Sequence, residues 1–258
     1  MTPYEKWVAY YTIIRKEVVR LLRIWPQTFL PSLVTSTLYF LIFGAFLGSR
    51  IGMVHGVPYI MFVVPGLVML SVVMNSYMNT SFVMFQSKFF MRTIDEILVS
   101  PTPPWVLIAG FISGGLIRGI VTGILVLLVA LFFTHLVIHS VAIIILFLVL
   151  SSLVFALAGL VNGIYAKSMD AVNIVPTFVL QPLVYLGGIF YSTASLPPFW
   201  ASLTRFDPLF YIINGFRYGF LGISDISLWV SFAVLGTLVL LLAVVNLYLL
   251  KKGLGLKQ

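Results

Sequence analysis

Between Arg118 and Lys167 the chain runs for 48 residues without a charged side chain. Arg23 and Arg50 enclose another 26, and Arg50 and Lys88 another 37. Stretches of this kind cannot be folded away from water in a chain of 258 residues of which only 9% are charged and 61% are hydrophobic. A soluble domain carries about 25% charged residues, enough to cover its surface. Bilayer hydrocarbon tolerates exposed Leu, Val and Phe, and it demands that backbone polar groups be paired within the segment, which a helix does. Mean hydropathy of +1.12 agrees. The expectation is an all-α membrane protein forming one transmembrane domain over residues 1–258, since no polar block is long enough to fold separately.

A spanning helix needs roughly 20 residues, and the charges divide the chain into six such segments. They run from about Phe29 to Leu47, Tyr59 to Met84, Trp105 to Phe133, Val141 to Tyr165, Val172 to Tyr191 and Leu228 to Leu250. The 48-residue stretch is too long for one helix and is broken at Thr134–Ser140, where His135 and His139 mark a wet turn. Six crossings put both ends of the chain on one side. With that side cytoplasmic it carries Lys6, Arg15, Lys16, Arg20, Arg23, Lys88, Arg92, Lys167, Lys251, Lys252 and Lys257, against Arg50, Arg205 and Arg217 opposite. The excess of basic residues on cytoplasmic loops then gives N-in, C-in. No cleavable signal peptide is expected, because the N-terminus mixes charges with aromatics and lacks a short apolar core.

Residues 4–25 read as an amphipathic helix. At 100° per residue Trp7, Tyr10, Tyr11, Ile14, Val18, Leu21, Leu22 and Trp25 fall on one arc, with Arg15, Lys16, Arg20 and Arg23 largely opposite. Val8, Ile13 and Val19 intrude on the polar arc. Such a helix lies in the cytoplasmic interface plane, as an anchor or as a prop against a soluble partner. Pro26 ends it.

Two further segments depart from plain apolar helix. Gln86 to Trp105 contains Phe89, Phe90, Arg92, Ile94, Asp95, Glu96, Ile97 and Leu98, stopped by Pro101, Pro103 and Pro104. This short helix is too charged to be embedded and too apolar to stand bare, so it lies on the membrane or docks into a groove of another protein. After the fifth span come Gly187-Gly188-Ile189-Phe190-Tyr191-Ser192, Leu196-Pro197-Pro198-Phe199-Trp200, Asp207-Pro208-Leu209-Phe210-Tyr211 and Arg217. Rich in proline and aromatics and nearly free of charge, it reads as short helices dipping back into the outer leaflet, with a plain extracellular loop as the alternative.

Taken together these segments resemble the ABC type-2 transporter permeases, the membrane subunits of drug, polysaccharide and lipid exporters, and within them the small bacterial inner-membrane permeases. Arg92, Leu98, Ser100 and Pro101 match the family's loop after the second span. Leu196, Pro197, Trp200, Asp207, Pro208, Leu209 and Arg217 match its pattern before the last span. The resemblance implies an exporter permease of the bacterial cytoplasmic (inner) membrane, working as a homodimer with two separately encoded ABC ATPase subunits. ATP and Mg would bind in that partner, and no cofactor on this chain, which carries no G-x-x-x-x-G-K-[ST] phosphate loop. It further implies that the helix around Phe89–Leu98 is a coupling helix, with Phe89, Phe90, Arg92, Asp95, Glu96 and Leu98 against the ATPase. Lys167 and Asp170, after the fourth span, would make a second contact. A hydrophobic drug, a lipid or a lipid-linked glycan suits the aromatic outer segment.

A conduit needs polar lining. On the second span Ser71, Asn75, Asn79 and Gln86 fall within roughly 80° of one another, and the fifth offers Asn173, Thr177, Gln181 and Tyr185 at steps of four. These faces either line a path or serve as interhelical glue. Arg118 is the one charge inside a span, and pairing or snorkelling is the expectation over substrate binding; Asp95 and Glu96 are partners only if that span begins deep on the cytoplasmic side. Gly110, Gly114, Gly115, Gly119 and Gly123 on the same helix provide for close packing. Three scattered histidines, His55, His135 and His139, make no metal pattern, and the basic charge accompanies no nucleic-acid motif. An ion-coupled secondary transporter would need acidic residues in its spans and an intramembrane lipid-processing enzyme a convergent catalytic set. Neither is visible.

Overall fold

In the computed structural model of the chain, which describes residues 1–90, 94, 99–193 and 196–255, nearly all regular structure is helical. Helix α1 (Pro3–Arg23) opens with a capping box, Thr2 accepting from the Glu5 N–H while the Glu5 carboxylate accepts from the Thr2 N–H at 2.9 Å. After Ile24 the chain turns into α2 (Trp25–Phe40), with Pro26 in its first turn, and continues through a π-helical turn at Leu41–Phe46 into α3 (Gly48–Ile51). A small antiparallel hairpin, β1 (Met53–Val54) and β2 (Val57–Pro58), leads into α4 (Tyr59–Phe89). Its turn uses His55 and Gly56 at positive φ.

Prolines punctuate much of the rest because a ring at the first turn loses no hydrogen bond there. Pro104 opens α5 (Pro104–Ala130), while α6 (Val141–Tyr165) follows the turn at Ser140. Ser168 caps α7 (Met169–Val175), accepting from the Ala171 N–H at 3.1 Å. Pro176 then begins a π-helical turn (Pro176–Leu180) that joins α7 to α8 (Gln181–Leu186). Beyond it stand α9 (Pro198–Thr204), α10 (Pro208–Leu221) and α11 (Leu228–Lys252). Among the described residues six helical segments are long and apolar enough to cross a membrane: Trp25–Gly44, α4, α5, α6, Met169–Leu186 and α11.

The second of these is the axis. In the most apolar window of α4, 72% of residues are buried, against 17% for the first, 22% for the fifth and 11% for α11. Helix α4 packs on α5 and α6 along most of its length, and its Phe62, Val64, Leu67, Val68, Val72 and Val73 anchor the larger apolar core. What lets three helices approach so closely is the absence of side chains. Gly115 and Gly119 of α5 face Ser76 and Thr80, and Gly159 and Gly163 of α6 face the backbone carbonyls of Tyr77 and Ser81. At Gly163 an added Cβ would lie 2.6 Å from the Ser81 oxygen. Lipid gives helices no hydrophobic reason to associate, so close backbone approach and hydrogen bonds hold them. Asn162 supplies one such bond to Ser81 Oγ at 2.8 Å, and Asn246 of α11 another to the Leu157 carbonyl at 3.1 Å.

Helix α1 is not detached from this bundle. Ile13, which the helical wheel sets among the polar residues, packs over Gly110 of α5, and Glu17 lies over Gly114. Leu21 and Glu17 are buried, whereas Trp7, Tyr11, Leu22 and Trp25 of the apolar arc stay exposed. The face toward the protein and the face toward the surroundings are thus rotated from a simple apolar-versus-basic division. Sequence periodicity reads the apolar arc alone; glycines on a neighbouring helix select a different one.

Replacing Gly159 by alanine should force α6 off the Tyr77 carbonyl and lower stability by about 1–3 kcal/mol, the usual cost of overpacking. Gly236→Ala, where an added Cβ meets nothing within 4 Å, should leave the thermal midpoint of the purified protein unchanged or raise it. Equal effects of the two substitutions would contradict this packing.

Candidate functional site

A crevice of about 280 Å³ opens between the first, second and fifth membrane-length helices, and several polar side chains line it among apolar ones. Helix α2 contributes Ser32, Ser36 and Tyr39, α4 contributes Ser71 and Asn75, and α8 contributes Gln181 and Tyr185. Ser36 and Ser71 hydroxyls meet at 3.2 Å, and the Asn75 amide donates to Ser32 Oγ at 2.9 Å and to the Ser71 carbonyl at 2.9 Å. Four of the residues singled out as conduit lining, Ser71, Asn75, Gln181 and Tyr185, are therefore brought together. Asn173 and Thr177 are exposed on the fifth helix and do not line the crevice; the Asn173 amide donates back to the Met169 carbonyl. Asn79 lies a turn away and serves another contact. The serines and Tyr39 of α2 were passed over in the sequence, although Ser32, Ser36 and Tyr39 at spacings of four and three form a polar stripe on an apolar span.

Behind the crevice lie two arginine–asparagine pairs. Arg118 Nε donates to Asn75 Oδ1 at 3.0 Å, and its Nη2 reaches the Thr28 carbonyl at 3.4 Å. One turn along α4, Arg20 Nη2 donates to Asn79 Oδ1 at 2.8 Å and to Glu17 at 2.7 Å. Glu17 is 3% exposed, and a carboxylate can stay there because a guanidinium pairs with it. Arg118 has no carboxylate partner among the described residues; amide and carbonyl dipoles carry its charge. Asp95 and Glu96, the acidic partners considered for it, lie outside the described residues.

At the end of the bundle near the 90–103 segment, Lys88 donates from Nζ to the Ile164 carbonyl at 2.9 Å, placing a cation on the C-terminus of α6. Phe89 packs at a tilt against Phe85, Phe90 is exposed, and Ile94 is buried against the core that includes Met84 and Leu107. Arg92, Asp95, Glu96 and Leu98 lie outside the described residues. Lys167 and Asp170 are exposed in the turn between α6 and α7 and at its entry.

At the other end, the Leu196-to-Arg217 segment folds into α9 and α10. Pro197 caps α9, on which Trp200 and Phe199 are exposed; Leu196 is half-buried. Asp207 and Pro208 start α10, the Asp207 Oδ1 accepting from the Leu209 N–H at 2.9 Å. Arg217 is buried, donates from Nη2 to the Gly188 carbonyl at 2.7 Å and lies 3.7 Å over the Phe62 ring. The two charged residues of the motif do not pair with each other. One caps a helix, and the other pins the Gly187–Gly188 turn, whose neighbour Ile189 packs on Gly66 of α4. Burial pushes the Asp207 carboxyl up to about 7 against a smaller opposing effect of the Leu209 hydrogen bond. His55 hydrogen-bonds Ser192 Oγ at 2.8 Å and His139 lies edge-on to Tyr218; no metal-holding group occurs among the described residues.

Six membrane-length helices, three of them flanking a crevice with polar side chains, have the build of a transport permease. Residues 8–221 match the family described as ABC-2 type transporter, and the chain belongs to that family. It is 49% identical over 252 residues to "Inner membrane transport permease YadH" of Escherichia coli (strain K12), covering 98% of each chain, and equally to that of Shigella flexneri. More distantly, it is 25% identical over 195 residues to "Nodulation protein J" of Rhizobium leguminosarum bv. viciae, covering 75% of this chain and 74% of the relative. The chain is a permease of this family and not itself an enzyme.

A carboxyl raised on folding binds a proton that the unfolded chain has already released, so it lowers stability as pH rises from the ordinary carboxylate range toward the raised value. Between about pH 4 and 7 the thermal midpoint of the wild type should fall relative to Asp207→Asn, and above pH 7 the difference should level off. Parallel curves for the two proteins would show that Asp207 is not the group responsible.

Proposed function

We propose that this chain is the membrane half of an exporter in which two copies, each a single transmembrane domain over residues 1–258, enclose the translocation path. Two separate ATP-hydrolysing subunits would supply the energy and hold ATP and Mg. The observation that carries the reading is the polar crevice between α2, α4 and α8. Two of the three helices flanking it, the first and fifth membrane-length ones, are sparsely buried within the chain, so its open side is available to a second copy. Ser71, Asn75, Gln181 and Tyr185, with Ser32 and Ser36, would line the path, and Asn173 and Thr177 would extend it at the open flank. Asn79 acts instead as a strut under α1.

In this reading the termini are cytoplasmic and the membrane is the bacterial inner membrane, in keeping with the basic residues of α1 and with the printed description of the relatives at 49% identity. Helix α1 lies at the cytoplasmic interface. The segment through Phe89, Phe90, Arg92, Asp95, Glu96 and Leu98 is the coupling element, with Lys167 and Asp170 as a second contact for the partner. Lys88 ties that end of α4 to α6, which would let a push on the segment reach the second span. Helices α9 and α10 re-enter the outer leaflet and close the path, Leu196, Pro197, Trp200, Asp207, Pro208 and Arg217 setting their shape. A hydrophobic, lipid or glycan-linked cargo fits the mixed polar and aromatic lining.

In a complex with its ATPase, the double substitution Arg92→Ala with Glu96→Ala should abolish the dependence of ATP hydrolysis on this chain while leaving assembly intact. Cysteines at Asn75 and Gln181 should react with a water-soluble thiol reagent in at least one nucleotide state. Full transport by the double variant would remove the coupling assignment, and inert thiols in every state would turn the crevice into packing glue.

A further inference from the structure

Arg205 stands where two recesses meet, and each asks for a different part of one kind of molecule. The first is a cleft of about 250 Å³ that Arg205 lines together with Thr193 and Asp225. A cation and a carboxylate facing one cleft would ordinarily close on each other, yet no ion pair joins them. Asp225 is held back by its own partners. Its Oδ2 accepts from Thr193 Oγ1 at 2.8 Å and from the Thr193 N–H at 3.3 Å, and its backbone N–H donates to Asn214 Oδ1 at 2.7 Å. Arg205 is fixed on the opposite side at the C-terminus of α9, its carbonyl accepting from the Tyr211 hydroxyl at 2.7 Å. Its guanidinium makes no hydrogen bond to a described residue. The second recess, about 440 Å³, runs from Arg205 past Phe206 and Tyr211 along α11, where Ala233 and Thr237 leave a shallow groove one turn apart on an exposed face. That groove is apolar, on a helix with few buried residues in its apolar window.

We infer that Arg205 and Asp225, with the Ala233–Leu238 groove of α11, form a binding site for a zwitterionic phospholipid of the phosphatidylethanolamine type. The phosphate sits on Arg205, which offers several donors in a fork suited to phosphate oxygens. The ammonium sits toward Asp225, and one acyl chain lies in the groove. A carboxylate beside the cleft disfavours a headgroup bearing no cation, so the site selects phosphatidylethanolamine over phosphatidylglycerol. The lipid would bridge α9 and α11, and so brace the Leu196-to-Arg217 segment against the last membrane-length helix.

The test is native mass spectrometry of the purified chain in its assembled complex, delipidated and then titrated with dioleoyl phosphatidylethanolamine, dioleoyl phosphatidylglycerol or dioleoylglycerol. Wild type should retain phosphatidylethanolamine best, Arg205→Gln should weaken retention of both phospholipids about tenfold, and Asp225→Asn should erase the preference between them. An unchanged affinity in Arg205→Gln, or equal retention of dioleoylglycerol by the wild type, would overturn the site. So would displacement of the lipid by inorganic phosphate alone, which would mark a soluble-anion site. Because a variant can fail through misfolding, wild type is also photolabelled with phosphatidylethanolamine carrying an acyl-chain diazirine. Adducts on Phe206 or residues 233–238 are expected, and adducts confined to other helices would refute the assignment.

Discussion

The close approach of α5 and α6 to α4 is the contact on which the remaining structure depends. Hydrocarbon offers no driving force for bringing apolar helices together, so the association rests on backbone proximity and on hydrogen bonds that lipid cannot supply. Gly115, Gly119, Gly159 and Gly163 make that proximity possible, and Ser76, Thr80 and Ser81 fill the seams. With the centre settled by three helices, the first and fifth membrane-length helices are left at the periphery, touching α4 over short stretches. The crevice between them follows from that imbalance. A bundle that packed all six equally would have no polar cleft to offer.

A second regularity runs through the charges. Lys88, Arg118 and Arg217 are each drawn into the protein, and each is met by backbone carbonyls, an amide or an aromatic face, with no carboxylate bonded to any of them among the described residues. Neutral acceptors hold a buried cation less tightly than a carboxylate would, yet they leave no second ion to desolvate. Each also fastens one element to others: α4 to α6, α5 to α4 and α2, and α10 to the Gly187–Gly188 turn. The lone ion pair among the described residues, Glu17 with Arg20, fastens α1 to the same axis through Asn79. The cationic side chains therefore act as rivets between helices, and the open polar surface that remains belongs to serines, Gln181 and Tyr185.

Much of this was legible in the residues themselves. Charge-free stretches of 26, 37 and 48 residues leave little room for anything but several membrane-length helices. The helical wheel sets Ser71 with Asn75 and Gln181 with Tyr185, and all four border the crevice. What periodicity could not supply was which neighbour each face meets. Asn75 and Asn79 share a face of α4, but one opens on the crevice and the other is taken by Arg20, because α1 crosses at Gly114 and not at Gly119. Ile13 counted as an intruder on a wheel and proved to be the residue that seats on Gly110. Asp207 and Arg217 sit in one motif without touching; a pattern in sequence records positions, whereas the jobs of helix cap and turn anchor are visible only in space.

The central proposal is that the α2–α8 face, and not the more apolar α11, meets a second copy of the chain. Cross-linking in native membranes tests it most directly, with single cysteines at Phe178 on the fifth membrane-length helix and at Trp229 on α11, which are 73% and 82% exposed in the single chain. The account predicts a covalent dimer from Phe178→Cys under mild oxidation and none from Trp229→Cys. Dimers from the α11 position alone would contradict it.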